Sequence, residues 1–152
     1  HLDPARRGAH DAGLIRPMTG EDLGQLCRAA RELPALMVTV APASVTLDQI
    51  AKLAAAGVIV SLGHTDATLE QAKAAIAAGA RCATHLFNAM SQMGNREPGM
   101  VGAVLTSTIA AGVIADGHHV AVEALRVALA ARPDGLFLVS DCMAAAGSAN
   151  QP

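Results

Sequence analysis

The stretch that decides the fold covers residues 46–62 and reads TLDQIAKLAAAGVIVSL. Its first part predicts a helix over 46–56, because Thr46 is a residue type that caps helix starts and Gly57 is one that ends them. Its second part, VIVSL at 58–62, is almost continuously apolar, which is typical of a strand buried on both faces. A helix followed by a buried strand indicates a right-handed βαβ arrangement with a parallel sheet.

The same alternation extends along the rest of the chain. Apolar runs predict four more strands, at residues 37–41, 81–85, 111–115 and 135–140. The spacing of apolar residues predicts three more helices, at residues 21–33, 68–78 and 120–131. Residues 87–106 are rich in Gly and Pro and predict a long loop followed by a short helix. The predicted fold class is therefore α/β.

Composition and charge narrow the classes of function. The chain has 152 residues, 52% of them hydrophobic, and a mean hydropathy of +0.37, which predicts one globular domain. The formal net charge is −2 with no basic cluster, so neither nucleic acid nor a membrane surface is expected as a partner. No apolar stretch reaches the roughly 18 residues that a membrane span needs. Three cysteines without C-x-x-C spacing predict free thiols and a cytoplasmic protein.

Ionisable side chains gather where the predicted strands end. They are His64, His85, Asp116, His119 and Asp141, at or just after four successive strands. In α/β folds the carboxyl ends of parallel strands meet at one rim, and functional residues collect there. We therefore expect these groups to face the same side of the sheet.

His64 and His85 are candidate metal ligands. Neutral imidazole binds zinc and iron, and two histidines at neighbouring strand ends can converge on one ion. The pattern leaves open the alternative that both are structural histidines. Asp141 is a candidate proton acceptor beside such a metal, and its alternative role is a helix cap or a loop hydrogen bond.

Other residues are candidates for binding an anion or a sugar. The planar guanidinium of Arg96 matches phosphate oxygens, and a local ion pair with Glu97 is the competing explanation. The adjacent His118 and His119 cannot both point the same way, so only one of them is expected to reach a ligand. Asn88 could hydrogen-bond a sugar or phosphate, or it could satisfy the backbone of its own turn.

Six short motifs follow one another along the chain. They are PARRGAH at 4–10, GHTDAT at 63–68, ATHLFNAM at 83–90, GNREPG at 94–99, IADGHHV at 114–120 and VSD at 139–141. In this order they resemble the N-acetylglucosamine-6-phosphate deacetylases of the amidohydrolase superfamily. The resemblance covers nearly the whole chain, and several motifs in the right order are more specific than any one of them.

The resemblance implies a fold and an activity. The expected fold is part of a (β/α)8 TIM barrel with about five βα units, and residues 1–152 would form a single partial catalytic domain. The expected reaction removes the acetyl group of N-acetyl-D-glucosamine 6-phosphate, giving D-glucosamine 6-phosphate and acetate in amino-sugar catabolism. The expected cofactor is a divalent metal, zinc before iron or another ion. The complete enzyme is expected to be a cytoplasmic homodimer, and the molecule that it binds is expected to be a small sugar phosphate.

The resemblance also implies a role for each matched residue. His64 and His85 would bind the metal, and Asp141 would act first as general base and then as general acid. His10 would help to polarise the acetamide carbonyl. Arg96 and His119 would meet the phosphate, partly across the dimer interface. The full set expected to bind the substrate is Ala9, His10, Asn88, Ala89, Arg96, His118 and His119.

The chain departs from the family near its first residue. The family carries a metal-binding Glu in a His-Leu-Glu-Gly-Pro stretch, whereas His1 and Leu2 run directly into Asp3 and Pro4. The third protein ligand is therefore missing, and Asp3 lies in the wrong part of the motif to replace it. A complete barrel needs about 250 residues, so we expect the sequence to be an excerpt of a longer protein. The alternatives are another amidohydrolase or an inactive fragment without the third ligand.

Overall fold

The computed structural model describes residues 1–143 and 146–147, which form strands and helices in alternation. The strands are β1 (Met37–Val40), β2 (Ile59–Leu62), β3 (Cys82–Ala83), β4 (Ala110–Val113) and β5 (Leu136–Leu138). The helices are α1 (Gly20–Glu32), α2 (Leu47–Ala55), α3 (Leu69–Ala77), α4 (Gly99–Leu105) and α5 (Val122–Ala131). Two short 3₁₀ turns, Pro4–Arg6 and Ala12–Leu14, precede α1.

The five strands form one parallel sheet in the order β1-β2-β3-β4-β5, as the sequence predicts. The third strand is shorter than its predicted range of 81–85. Backbone hydrogen bonds from Arg81 and Thr84 to β2 continue its pairing at both ends. At His85 the backbone takes a φ of +32°, a value that an extended strand cannot hold, and the strand ends before it.

Local capping explains where α2 and α3 begin and end. The side-chain hydroxyl of Thr46 and that of Thr68 each accept a hydrogen bond from the backbone N–H of a glutamine three residues on. The side-chain oxygen of that glutamine in turn accepts a hydrogen bond from the backbone N–H of the threonine. Gly57 and Gly79 follow these helices with φ of +90° and +119°. A Cβ at Gly79 would also lie 2.7 Å from the Cβ of Ala54, so α2 and this turn approach too closely for any other residue.

The buried core lies where the helices pack on the sheet. Helix α4 is buried at every residue from Gly99 to Leu105, because its sequence GMVGAVL has no polar face. Fully buried side chains from α2 and β2, such as Ile50, Leu53 and Leu62, complete this layer. None of the helices described is long and apolar enough to cross a membrane.

A second, open side of the sheet carries a hollow of about 180 Å³. Met37 of β1 and Phe137 of β5 line it and are 53% and 39% exposed. Ser61, Thr84 and His85 also line it, so this hollow leads from the middle of the sheet to the carboxyl ends of the strands. Polar side chains of the sheet therefore lie along this side, largely buried beneath its surface.

Candidate functional site

The carboxyl ends of the strands hold an unusual backbone. Among the residues that the structure describes, five other than glycine have positive φ, namely His64 (46°), His85 (32°), Phe87 (79°), Ala89 (45°) and Asp141 (49°). Three of these are the candidate ligands and the candidate base, and each comes just after β2, β3 or β5. A left-handed residue that is not glycine costs of order 1–3 kcal/mol, and such strain concentrates at functional sites.

The ring of His64 is held in one tautomer by the N-terminal arm. Its Nδ1 lies 2.9 Å from the carbonyl oxygen of Arg6, and because a carbonyl can only accept, Nδ1 carries the proton. The Nε2 of neutral His64 therefore presents a lone pair. Burial is the main cause that lowers the pKa of His64 below its usual value, and the Arg6 carbonyl opposes this effect. A neutral imidazole with a free Nε2 is the form that binds metal.

His85 faces His64 through its own Nε2. The two Nε2 atoms are 2.9 Å apart, and the rings meet edge to face with centroids 4.7 Å apart. His85 is 3% exposed, and its Nδ1 has no hydrogen-bond partner within the described residues. A buried polar atom without a partner is costly, and in native proteins it often marks a functional group.

The two histidines open into a cavity of about 400 Å³ that also reaches His10 and Asp141. The ring of His10 lies edge to face against that of His64, with centroids 4.8 Å apart. The negative charge of Asp141 acts to raise the pKa of His64, and the rings of His85 and His10 act to lower it. Four of the predicted site residues thus share one cavity.

These groups suit a divalent metal only in part. Two imidazole nitrogens 2.9 Å apart can both reach one ion, since zinc–nitrogen bonds are about 2.0–2.1 Å long. Residues 1–143 and 146–147 contain no group of three or more His, Cys, Asp or Glu side chains arranged to hold a metal ion. The described part of the chain therefore brings together two candidate ligands, fewer than the three protein ligands of a typical catalytic zinc site.

The other predicted binding residues do not line this cavity. They are Ala9, Asn88, Ala89, Arg96, His118 and His119. Asn88 makes a 3.5 Å contact from its side-chain nitrogen to the carbonyl of Leu86, which is a bond within its own turn.

His119 is paired with Asp116 at the end of β4. The Nδ1 of His119 is 2.6 Å from one carboxylate oxygen, and the other oxygen accepts from the backbone N–H groups of His118 and His119 at 2.8 Å. The bond with the His119 side chain, followed by the backbone bonds, holds the pKa of Asp116 well below its usual range. His119 is 61% exposed, so its ring is accessible from solvent.

Arg96 is exposed, and the ion pair with Glu97 that was the alternative explanation for this residue does not form among the described residues. A carboxylate oxygen of Glu97 accepts instead from the backbone N–H of Leu69 at 2.7 Å and of Gly99 at 3.0 Å. This places Glu97 at the positive start of α3, which favours a carboxylate there. Arg96 forms no salt bridge in the described part of the chain.

Three hydroxyl groups below the histidines were missed by the sequence reasoning. The Oγ1 of Thr84 lies 2.8 Å from Oγ1 of Thr39 and 2.6 Å from Oγ of Ser61, which joins β1, β2 and the end of β3. Ser61 is completely buried, although it carries a polar group. The signal in the sequence was one serine inside the otherwise apolar run 58–62.

A parallel βα segment with histidines and an aspartate beyond its strand ends defines part of an amidohydrolase-type barrel. No protein-family model matches the chain. It is 43% identical over 150 residues to an N-acetylgalactosamine-6-phosphate deacetylase of Shewanella sp., covering 97% of this chain and 38% of that protein. It is 40% identical to the N-acetylglucosamine-6-phosphate deacetylase of Haemophilus influenzae, covering 97% of this chain and 39% of the relative.

Solved structures agree with these relatives. The N-acetylglucosamine-6-phosphate deacetylase of Pasteurella multocida superposes with a TM-score of 0.90 at 40% identity, over 96% of this chain and 38% of its own. A variant of the Mycobacterium smegmatis enzyme, in complex with N-acetyl-D-glucosamine-6-phosphate, superposes at 0.87 with 39% identity, over 96% of this chain and 39% of its own.

The resemblance seen in the sequence is therefore confirmed. The chain is similar to sugar-phosphate deacetylases named for N-acetylglucosamine 6-phosphate and N-acetylgalactosamine 6-phosphate, and it spans just under two fifths of the length of these relatives.

Proposed function

We propose that the protein containing these residues removes the acetyl group of N-acetyl-D-glucosamine 6-phosphate, giving D-glucosamine 6-phosphate and acetate in amino-sugar catabolism. The observation that carries this proposal is the pair of Nε2 atoms 2.9 Å apart in a cavity that also holds Asp141 and His10. Its relatives act on phosphorylated N-acetyl sugars by name, which supports this substrate over that of another amidohydrolase.

His64 and His85 are the proposed ligands of one divalent metal, through their Nε2 atoms. Zinc is the proposed ion because it combines readily with imidazole nitrogen, and iron is the alternative. When bound, such a metal polarises a carbonyl and lowers the pKa of a bound water toward neutrality. The third ligand of the proposed site is a carboxylate outside the described residues.

Asp141 and His10 are the proposed catalytic residues. Asp141 is exposed at the mouth of the cavity, so its carboxylate can accept a proton from the attacking water and later return one to the departing amine. The ring of His10 packs against that of His64 in the same cavity, where its N–H can donate to the acetamide oxygen as negative charge develops there. The proton that leaves water thus ends on the amino group of the product.

The sugar and its phosphate are proposed to lie along the outer rim. Arg96 and His119 are the proposed phosphate ligands, because both are exposed cation-forming groups and Arg96 has no salt bridge in the described residues. The further proposed contacts to the substrate come from Ala9, Asn88, Ala89 and His118. These groups lie outside the histidine cavity, which supports a substrate that extends from the metal toward the rim.

Assembly and location complete the proposal. We propose one catalytic barrel domain that includes residues 1–152, acting as a homodimer in which Arg96 and His119 can meet phosphate across the interface. A cytoplasmic location is proposed because the three cysteines, Cys27, Cys82 and Cys142, are free thiols.

A second candidate substrate is N-acetyl-D-galactosamine 6-phosphate. The 43% identical relative from Shewanella sp. is named for that sugar. The two sugars differ only in the orientation of one hydroxyl group, so the same metal and the same Asp141 chemistry would serve both. Selectivity would arise at the rim, where hydrogen bonds to sugar hydroxyls form.

The test is acetate release by the complete protein, loaded with zinc, from three substrates. We expect turnover of at least one of the two phosphorylated sugars and a loss of about 100-fold or more with unphosphorylated N-acetylglucosamine. Asp141→Asn should lower kcat by about 10²- to 10⁴-fold, the usual contribution of a general base, and leave zinc bound. Asp134→Asn, at the other end of the same strand, is the matched control and should keep full activity. Full activity of Asp141→Asn would refute the mechanism.

A further inference from the structure

We propose that Asp3 is a positioning residue that holds His64 in its metal-binding orientation. This inference rests on the proposed function only in that it takes His64 to be a metal ligand. Asp3 belongs to the N-terminal arm, residues 1–8, which crosses the carboxyl ends of β1 and β2. The arm is docked there by the backbone bonds Ala41 N to His1 O and Asp3 N to His64 O, both 2.9 Å long.

The two carboxylate oxygens of Asp3 join two segments around His64. One oxygen accepts from the backbone N–H of Ala5 at 2.9 Å and so caps the 3₁₀ turn Pro4–Arg6. The other accepts from the backbone N–H of Asp66 at 3.1 Å, two residues beyond the histidine. One short side chain therefore fixes the turn and the β2–α3 loop relative to each other.

This arrangement fixes the atom that orients the imidazole. The capped turn ends at Arg6, whose carbonyl oxygen holds Nδ1 of His64 at 2.9 Å. The following Gly8 lies so close to the ring that a Cβ there would be 3.2 Å from Cε1 of His64. A displaced turn would move the Arg6 carbonyl, and the ring would lose the bond that selects its tautomer. Groups that orient a metal-binding histidine in this way commonly tune metal affinity.

An exposed ion pair gives the same arm a second connection. The Nε and Nη2 atoms of Arg6 lie 2.9 and 2.8 Å from one carboxylate oxygen of Asp66. The side chains are 37% and 50% exposed, so solvent screening leaves this pair a small contribution. Asp3 is the stronger connection because its two carboxylate oxygens accept hydrogen bonds from backbone N–H groups of both the 3₁₀ turn and the β2–α3 loop.

The same contacts argue that Asp3 is not the carboxylate ligand of the proposed metal site. Both of its oxygens already accept a hydrogen bond from the backbone, from Ala5 and from Asp66. Turning either oxygen toward the histidines would uncap the turn that carries the Arg6 carbonyl. The structure therefore assigns Asp3 to the support of a ligand and not to the metal itself.

The test measures the affinity of the complete protein for Zn²⁺ alone, by competition with a chromophoric chelator. Asp3→Ala removes both contacts. Asp3→Asn keeps one acceptor oxygen for the turn but cannot accept from Asp66 as well. Asp11→Ala is the matched control, because Asp11 caps the turn Ala12–Leu14 through Gly13 N in the same way, at 2.9 Å. Thermal unfolding of the zinc-free proteins measures what each substitution costs the fold in the absence of metal.

We expect Asp3→Ala and Asp3→Asn to weaken zinc binding by about 5- to 10-fold, at or below the lower end of the range for groups that directly support a metal ligand. The Asp11→Ala control should bind zinc like the parent. Parent-like affinity of Asp3→Asn would overturn the positioning role, since the cap alone would then explain the residue. Equal losses in all three variants would overturn it as well. Because no sugar is present, a failure of the proposed deacetylase activity would be seen separately.

Discussion

Replacing Gly63 with alanine tests how the two histidines are brought together. Gly63 precedes His64, and Thr84 precedes His85, so these two positions set the distance between the ends of β2 and β3. A Cβ on Gly63 would lie 2.8 Å from Cβ of Thr84 and 3.1 Å from Cγ2 of Thr39. The closer contact is with a Cβ, so no shortening of Thr84 other than to glycine would relieve it.

The expected magnitude combines two opposing effects. Extra atoms forced into a packed site cost about 1–3 kcal/mol. The φ of Gly63 is not positive, so alanine can adopt it, and the reduced freedom of the unfolded chain returns about 0.4–1 kcal/mol. The net loss should be about 0–2.5 kcal/mol. At about 2–4 °C per kcal/mol for a domain of this size, the melting temperature should fall by up to roughly 10 °C.

The assay is denaturant unfolding of the complete protein, followed by zinc affinity. Gly20→Ala is the matched control, because a Cβ at Gly20, the first residue of α1, meets no atom within 4 Å. The control should be unchanged or slightly more stable. Gly63→Ala should be less stable than the control and should bind zinc more weakly, since the strand ends are forced apart. Equal stability of the two variants would refute the close approach of β2 and β3.

Three further predictions concern other parts of the site. Thr84→Val should lower the free energy of unfolding by about 1–3 kcal/mol in denaturant titrations, because the buried hydroxyl of Ser61 loses its hydrogen-bond partner. The control Thr84→Ser keeps a hydroxyl and should retain most of that free energy. Equal losses in the two variants would contradict the hydroxyl cluster. His85→Gln should weaken zinc binding by more than about 100-fold in chelator competition, beyond the loss from any supporting group, and an unchanged affinity would exclude it as a ligand. The pairing of Asp116 with His119 lowers the pKa of the Asp116 carboxyl in the folded state, so the stability that it supplies should be complete above about pH 3.9 and should be lost only as the pH falls below that value. An NMR titration of this carboxyl with a midpoint at or above about pH 3.9 would contradict the pairing.

Short-range features of the fold could be predicted from the sequence because they depend on neighbours along the chain. The starts of α2 and α3 are capped by pairs of residues three positions apart, Thr46 with Gln49 and Thr68 with Gln71. Apolar runs between such helices predict parallel strands, and the five-stranded sheet confirms them. The limits of the strands were predicted less well. Strand β3 ends before His85 because the backbone at His85 is left-handed, and no residue type in the local sequence indicates this conformation.

The residues that share the candidate site were predicted from the sequence, but the contacts between them were not. His64, His85, His10 and Asp141 were named from strand ends and motifs, and they share a cavity. The Arg96–Glu97 ion pair was a reasonable alternative from adjacency alone. It is absent from the described residues because the carboxylate of Glu97 reaches across the fold to the start of α3, 28 positions earlier.

By itself, then, the sequence determined the alternation of helices and strands, the caps, and which side chains stand at the strand ends. Only the tertiary structure decided the tautomer of His64, the hydroxyl cluster around Thr84 and the contacts of Asp3. The bond from His64 to the Arg6 carbonyl joins residues 58 positions apart, and the contact of Asp3 with Asp66 joins residues 63 apart. The physical reason is that hydrogen bonds require atoms within about 3 Å, and between distant residues that proximity comes from strand register and the path of the arm.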